Sequence, residues 1–453
     1  MISLKTLQEE RAMYLKHFAL LSKQIASAGG DMRANTKNII QRDEIREKID
    51  ELDKQIQELI NTQNKIVQSA EGHPSFCLAI DANPLLDGLA LHLQLRGLRI
   101  TRIRERSSFQ AKTPFPVAAA IMYCESLDSG YAAQRPYHEY LEQSTNHLLY
   151  LIGGSYPADA MITTFGTRLG QTRMLDNALA PAQLAKIVLA TVLGPILQSR
   201  DAATSLAIDI FSYERAEYAQ PALLCIDTRK LGFEPADWAA LMQAFYDLRE
   251  VLNASAAKRL AVRPMNSRLS VAMAFGAVFS SSANFEVRVA YERRGQTSVD
   301  AQTLEWWRNH NNPNPESLPI IELPIISEVN QEAVVGLSIT RDVKIAVQAY
   351  FGSQQPPQLL FFGYSVLEPG INAVPTGDEG RAASAIANQF GHLLRTHRDR
   401  MLRRTWDFFY ALPVSLAVLV GQELNACTPI QCYEFMNDRN PAEYIPSCLI
   451  KQN

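Results

Sequence analysis

The 453-residue chain lacks the marks of several protein classes. Its six cysteines are scattered without a C-x-x-C pair, so we expect no zinc or other metal site and a reducing, cytoplasmic setting. The formal net charge of -3 argues against a broad basic surface for duplex nucleic acid. The first residues lack the apolar core of a signal peptide, so we expect no such leader. The longest apolar runs, near Ile187–Leu197 and Ala411–Val420, predict buried helices and no membrane contact.

Hydrophobic residues make up 47% of the chain, which is typical of folded proteins, and the length predicts two or three domains. Residues 1–70 predict a coiled-coil helical hairpin that breaks at Gly29 and Gly30. Apolar residues there recur with heptad spacing, interrupted by Arg11 and Gln63. Two interpretations stay open, which are self-association or docking of a partner helix, and an intramolecular hairpin that packs on its own chain.

Residues 75–200 alternate apolar strands with helices, which predicts a parallel, doubly wound sheet. Strands are predicted at 76–80, 98–103, 117–123, 147–152 and 160–164. Asp81 and Glu125 follow the first and third of them, where ligands of such folds bind. The opening "FCLAIDANPLLDGLALHLQLRGLRI" and the closing "ALAPAQLAKIVLATV" resemble a bacterial response-regulator receiver domain. The resemblance implies acids at the first and third strands, but the required Lys is missing, so we predict an interaction domain.

A spaced duplication marks residues 203–453. Ser270 to Gly276 aligns with Ser415 to Gly421, and a strand-like run begins nine residues after each glycine. The repeat predicts two similar α/β halves that share one cleft. It also aligns the strand at 222–226, followed by Asp227-Thr228-Arg229, with the strand at 334–339, followed by Thr340-Arg341-Asp342.

Each repeated helix opens at a polar turn. Backbone N–H groups at helix N-termini bind phosphate, so Ser270 and Ser415 are candidates, with plain N-caps as the alternative. Nearby arginines, among them Arg229 and Arg341, would add charge-assisted hydrogen bonds.

These features resemble the SAVED family, sensor modules of bacterial anti-phage signalling, through "VGLSITRDVKIAVQAYF", "YALPVSLAVLVGQELNACTPIQCYEF" and "FEVRVAYERR". The resemblance implies two fused CARF-like Rossmannoid halves and a cyclic di-, tri- or tetranucleotide ligand, with no cofactor. It further implies ligand-driven homo-oligomers in CBASS or type III CRISPR signalling. The pocket residues that it implies are Asn266, Ser270, Thr340, Arg341, Pro413 and Ser415.

Two hypotheses for the whole chain follow. The first is a sensor without its own active site that engages a separate effector protein. The second is a fused effector whose 75–200 domain is a ligand-activated hydrolase, with Asp81 and Glu125 as weak catalytic candidates. No convincing D/E-x-K, G-x-S-x-G or Walker-type pattern supports a known catalytic machinery, so the first is favoured.

Overall fold

The fold is that of a computed structural model, which divides into two compact units. One holds the N-terminal helices, and the other, from His73 onward, holds three sheets. The structure describes residues 4–27, 38–54, 76–80, 83–103, 117–124, 145–152, 172–198, 203–213, 222–255, 257–291, 305–309, 320–322, 333–351, 359–364, 379–398, 405–424, 429–436 and 443–451.

The first unit contains helix α1 (Leu4–Ser27) and a second helix, α2, over residues 38–54. The predicted seam residues Leu21, Ile49 and Leu52 are buried. Arg11, which interrupts the heptad pattern, forms an ion pair with Asp53 of the other helix. A charged residue at a seam position is therefore matched by a charge of opposite sign. Gly29, Gly30 and Gln63 lie outside the described residues, and the coiled coil stays a prediction.

The first sheet of the second unit is wholly parallel, in the order β2-β1-β3-β4-β5. This is the strand order of a doubly wound sheet. Two of its helices, α3 and α4, pack against each other through buried leucines. The elements are β1 (Phe76–Ile80), α3 (Pro84–Leu95), β2 (Arg99–Ile103), β3 (Val117–Cys124), β4 (Thr145–Ile152), β5 (Thr172–Asp176) and α4 (Pro181–Gln198).

The second and third sheets belong to the duplicated region. The second has the order β10-β9-β8-β6-β7, and only β10 is antiparallel to its neighbour. Its elements are β6 (Leu206–Phe211), β7 (Leu224–Asp227), α5 (Pro235–Ala254), β8 (Arg259–Asn266), α6 (Leu269–Val278), a 3-10 turn (Ser281–Ala283), β9 (Glu286–Tyr291) and β10 (Glu305–Trp307).

The third sheet repeats this order with one added edge strand, as β11-β13-β12-β14-β15-β16. The edge strands β11 and β16 are antiparallel to their neighbours. The expectation of a mixed α/β fold with mainly parallel sheets is confirmed. The elements are β11 (Ile320–Glu322), β12 (Ala333–Ser338), α7 (Lys344–Phe351), β13 (Leu359–Tyr364), α8 (Glu379–Arg398), β14 (Trp406–Ala411), α9 (Val414–Glu423), β15 (Ile430–Met436) and β16 (Glu443–Ile450).

Two predictions about apolar runs need correction or extension. The run at 411–420 is not one helix, because β14 ends at Ala411 and α9 begins at Val414. Helix α4 extends beyond its apolar run to 18 residues, and its length and composition would allow it to cross a membrane. Seven of its side chains are nevertheless buried, most of them leucine or valine in the core that joins the sheets.

The repeated glycines explain how the two halves pack. Helices α6 and α9 cross at these glycines, and a Cβ atom on Gly276 would overlap the carbonyl oxygen of Val418. A Cβ atom on Gly421 would overlap the carbonyl oxygen of Met273 in the same way. The contacts are reciprocal, as expected for two copies of one unit related by an approximate two-fold axis.

Gly276→Ala tests this crossing. The added methyl meets backbone atoms, which cannot move aside as a flexible side chain can, so we expect a loss of about 1–3 kcal/mol in unfolding free energy. Urea denaturation measures it. Gly194→Ala in α4 is the matched control, because nothing lies within 4 Å of the position that its added methyl would take, and alanine favours a helix by about 0.5–1 kcal/mol. Equal stabilisation by both substitutions would contradict the close crossing.

Candidate functional site

The carboxyl ends of the central strands carry equivalent turns in the two halves. After β6, the N–H groups of Ser212 and Tyr213 donate to the carbonyl of Asn266, at 2.7 and 3.2 Å. After β12, the N–H groups of Ile339 and Thr340 donate to the carbonyl of Ala411, both at 2.9 Å. Two strand ends with the same hydrogen-bond pattern therefore lie at the edges where parallel α/β sheets bind ligands.

These pairs correct the alignment made from sequence. Strand β6 is the counterpart of β12, because the order β7-β6-β8-β9-β10 of the second sheet corresponds to the order β13-β12-β14-β15-β16 of the third. The strand predicted at 222–226 overlaps β7. Strand β7 lies beside β6 as β13 lies beside β12, so β7 is the counterpart of β13 and not of β12. Arg229 is therefore not equivalent to Arg341. Ser212 and Tyr213 were not predicted from the sequence, although the short apolar run before them was the available signal.

Helices α6 and α9 begin beside these turns. Their N-cap positions are Arg268 and Pro413, and both have extended backbone conformation. The N–H of Ala272 donates to the carbonyl of Arg268, and that of Ala417 to the carbonyl of Pro413, at 3.1 and 3.0 Å. The predicted helix-opening turns thus exist in both halves.

The Ser270 side chain lies between the halves. Its hydroxyl is fully buried, 2.5 Å from the Tyr410 hydroxyl and 2.7 Å from the Ser447 hydroxyl. Its N–H donates to the Glu434 carboxylate at 2.8 Å. The N-terminus of α6 is therefore met by an acid from the third sheet, which complements the positive end of the helix dipole.

Ser415 occupies the equivalent position in α9 and contacts the opposite sheet. Ser415 is 2% exposed, and its hydroxyl donates to the carbonyl of Ala290 at 2.7 Å. Across the described residues, no side-chain acceptor meets the first N–H groups of α9. The described contacts of both serine hydroxyls are within the protein, and their role in ligand binding stays a prediction.

The remaining candidates lie nearer to solvent. Arg341 is exposed and its guanidinium lies 3.7 Å from the ring centroid of Phe435. Burial raises the pKa of Tyr444, and the nearby Arg341 opposes that rise. Thr340 is exposed, and Pro413 and Asn266 are half-buried.

Arg229 is already paired with a neighbouring acid. Its guanidinium lies 2.7 Å from the Asp227 carboxylate and 5.1 Å from the ring centroid of Phe211. This arginine would have to share its charge with Asp227 when it contacts a ligand. Asp81 and Glu125, the candidate acids of the first sheet, lie outside the described residues. No group of three or more potential metal ligands occurs in the described ranges.

Residues 246–450 match the family model of the SMODS-associated and fused to various effectors sensor domain, SAVED. The chain carries a SAVED domain. This match covers α6, α9 and the third sheet, and thus the crossing and most of the candidate site. No curated protein matches the chain.

Solved structures similar to the chain include SAVED/CARF-domain containing receptors named Cap4. The one from Acinetobacter baumannii with the cyclic trinucleotide 2'3'3'-cAAA has 13% identity and a TM-score of 0.44, covering 76% of this chain and 83% of its own. The Moraxella osloensis receptor has 15% identity and a TM-score of 0.40, with coverage of 76% and 84%.

Glu434→Gln tests the buried carboxylate at the SAVED interface. Burial raises the pKa of Glu434, while hydrogen bonds from Ser270 oppose the rise. The folded protein therefore binds the proton of the Glu434 carboxyl group more tightly than the unfolded chain does. Its contribution to the unfolding free energy is lost as pH rises from about 4.5 through the raised pKa. We expect the wild type to gain unfolding free energy relative to Glu434→Gln as pH falls from neutral towards 4.5. Thermal unfolding measures this, with the exposed Glu443→Gln as control. Parallel pH profiles for the wild type and Glu434→Gln would contradict it.

Proposed function

We propose that the chain is a cyclic-oligonucleotide sensor of anti-phage defence, with its ligand bound at the carboxyl edges of the two SAVED halves. The observation that carries the proposal is the pair of equivalent turns, one after β6 and one after β12, within a duplicated fold. Two edges with the same backbone hydrogen-bond pattern can contact one ring from both halves.

The chemistry of the second half supports phosphate binding. Arg341 offers an exposed guanidinium, and the first N–H groups of α9 point out of the positive end of a helix. Thr340 adds an exposed hydroxyl beside Arg341. We assign Thr340, Arg341 and Pro413 to the ligand contact of this half.

The first half offers a different set of groups. Tyr213 is 58% exposed, so its ring can stack on a base, and Asn266 lies beside it. Arg229 is placed farther along the same sheet edge and would add charge. Ser270 and Ser415 would act on binding by holding the halves in register.

We further propose that ligand binding leads chains to self-associate, and that the N-terminal helices and the 75–200 region engage a separate effector in the cytoplasm. Large apolar side chains on the N-terminal helices support a docking role, because Met13, Leu20 and Ile40 are each more than half exposed. An intramolecular pair of helices alone would not need these exposed side chains.

Binding to a panel of cyclic di-, tri- and tetranucleotides tests the proposal, with calorimetry and particle mass recorded on the same samples. We expect one ligand for each pair of SAVED halves, because the halves share a single site, and a rise in mass on binding. Absence of binding across the panel would reject the cyclic-oligonucleotide ligand. Binding without a rise in mass would reject ligand-driven assembly alone.

Arg341→Ala tests the assigned phosphate contact. Loss of one charge-assisted hydrogen bond to phosphate should weaken binding by about 1.5–3 kcal/mol, measured by the same calorimetry. The fold should persist, because Arg341 is exposed. Arg288→Ala is the matched control, since that arginine is exposed on β9 and lies over the Trp306 ring. Equal affinities for the wild type and Arg341→Ala would remove this residue from the site.

A further inference from the structure

A basic cavity lies at the second sheet, on the side opposite to the carboxyl ends of its strands. Its volume is about 510 Å³. Lys258 precedes β8, Ser280 follows α6, and Lys451 follows β16, so the cavity lies at the amino ends of β8 and β9. Asn266, at the carboxyl end of β8, belongs to the candidate ligand edge instead. The cavity is therefore separate from the proposed nucleotide site.

Among the described residues, the cavity wall carries three cations and no carboxylate. Arg249, Lys258 and Lys451 line it together with serine, asparagine, alanine and tyrosine side chains. The nearby acid Glu250 is engaged with Lys186, at 2.8 Å. In the part of the chain that the structure describes, none of the three cavity cations forms an ion pair. The wall thus holds positive charge that a bound anion would balance.

The contacts of two of these cations, Arg249 and Lys258, are with neutral groups. The Arg249 guanidinium lies 4.9 Å from the ring centroid of Tyr246. The Lys258 ammonium lies 4.8 Å from the ring centroid of Phe285 and donates to the amide oxygen of Asn253. Partial burial lowers the pKa of Lys258. An ammonium group desolvated without an acid partner favours a nearby anion.

Two neighbouring arginines on the same sheet, unlike the cavity cations, are paired with acids. Arg259, next to Lys258 in sequence, lies 3.2 Å from the Glu286 carboxylate. The buried Arg263 lies 2.6 Å from the Asp209 carboxylate. Arg259 and Arg263 are therefore each paired with an acid, whereas the cavity cations have no acid partner among the residues that the structure describes.

Hydroxyl groups complete the wall. Ser280 is 2% exposed, and its hydroxyl lies 3.0 Å from the Ser282 hydroxyl. Hydroxyl and ammonium donors around one concave space suit an acceptor-rich anion. The cavity volume falls in the range of about 300–1,000 Å³ typical of small-molecule sites.

We propose that this cavity binds a small polyphosphate anion, such as the phosphate chain of a nucleoside polyphosphate. Several phosphate charges would balance three cations, whereas one carboxylate would leave two of them without a counter-charge. The anion would contact both halves of the duplicated region, because Lys451 follows the last strand of the third sheet. It would bind at the end of α6 that is opposite to the proposed ligand site.

Calorimetric titration of the full chain with sodium tripolyphosphate tests the site. We expect one binding event, weakened about tenfold to a hundredfold in Lys258→Met and in Lys451→Met. Arg259→Met is the matched control, since it removes an adjacent cation that already has an acid partner. Lys451 is exposed and follows the last strand, so its variant keeps the test valid if Lys258→Met fails to fold.

The outcomes separate this site from the nucleotide site. Arg341→Ala should leave tripolyphosphate binding unchanged. Acetate, an anion with one carboxylate, should bind at least tenfold more weakly, and ATP should compete with tripolyphosphate for the same site. Equal affinity of tripolyphosphate for the wild type, Lys258→Met and Lys451→Met, or no binding at all, would overturn the proposal. Acetate binding as tight as tripolyphosphate binding would overturn the preference for several phosphate charges.

Discussion

The close crossing of α6 and α9 constrains the whole duplicated region. Backbone approaches backbone at Gly276 and Gly421, so the separation of the two helices leaves no room for side chains. Each helix then brings its first turn against the opposite sheet, where Ser270 and Ser415 form their hydrogen bonds. The orientation of the strand edges, and thus of the candidate ligand site, follows from this one contact. Interiors packed at this density do not deform gradually, which keeps the two edges in register.

A buried ion pair extends the same unit to the first sheet. Arg96, just after α3, donates to the Asp247 carboxylate of α5 at 3.1 Å through its Nε atom, and both side chains are almost fully buried. Arg96 also donates to the carbonyl of His92 at 2.7 Å, and Gln243 donates to Asp247 at 2.9 Å. Desolvating two charges is costly, but the added hydrogen bonds satisfy them, and losing one partner would leave a buried charge. This ion pair ties the first sheet to the half of the duplicated region that contains α5.

Local patterns predicted those parts of the fold that local contacts determine. The serine and glycine spacing predicted α6 and α9, because each serine lies in the first turn of its helix and each glycine lies where the two helices cross. The strand at 206–211 was missed, since Asp209 interrupts a short apolar run. Its charge is balanced by Arg263 of β8, far along the chain, and no local pattern indicates that pairing. Missing β6 shifted the alignment of the halves and hid Tyr213. The fifth strand of the first sheet is Thr172–Asp176, and the predicted strand at 160–164 lies outside the described residues.

The two halves are alike in backbone but not in chemistry, and this difference bears on the proposed ligand. The N-terminus of α6 already has an acceptor in Glu434, whereas α9 has no such acceptor among the described side chains. A phosphate can therefore gain helix-dipole stabilisation in the second half but not in the first. Arg341 also favours phosphate binding in the second half. The equivalent turn of the first half presents Tyr213, near Asn266, in place of an arginine. A ring bound across both edges would then meet phosphate-binding groups on one side and a stacking surface on the other. Such a site favours a ring whose phosphates are not related by the two-fold axis of the protein.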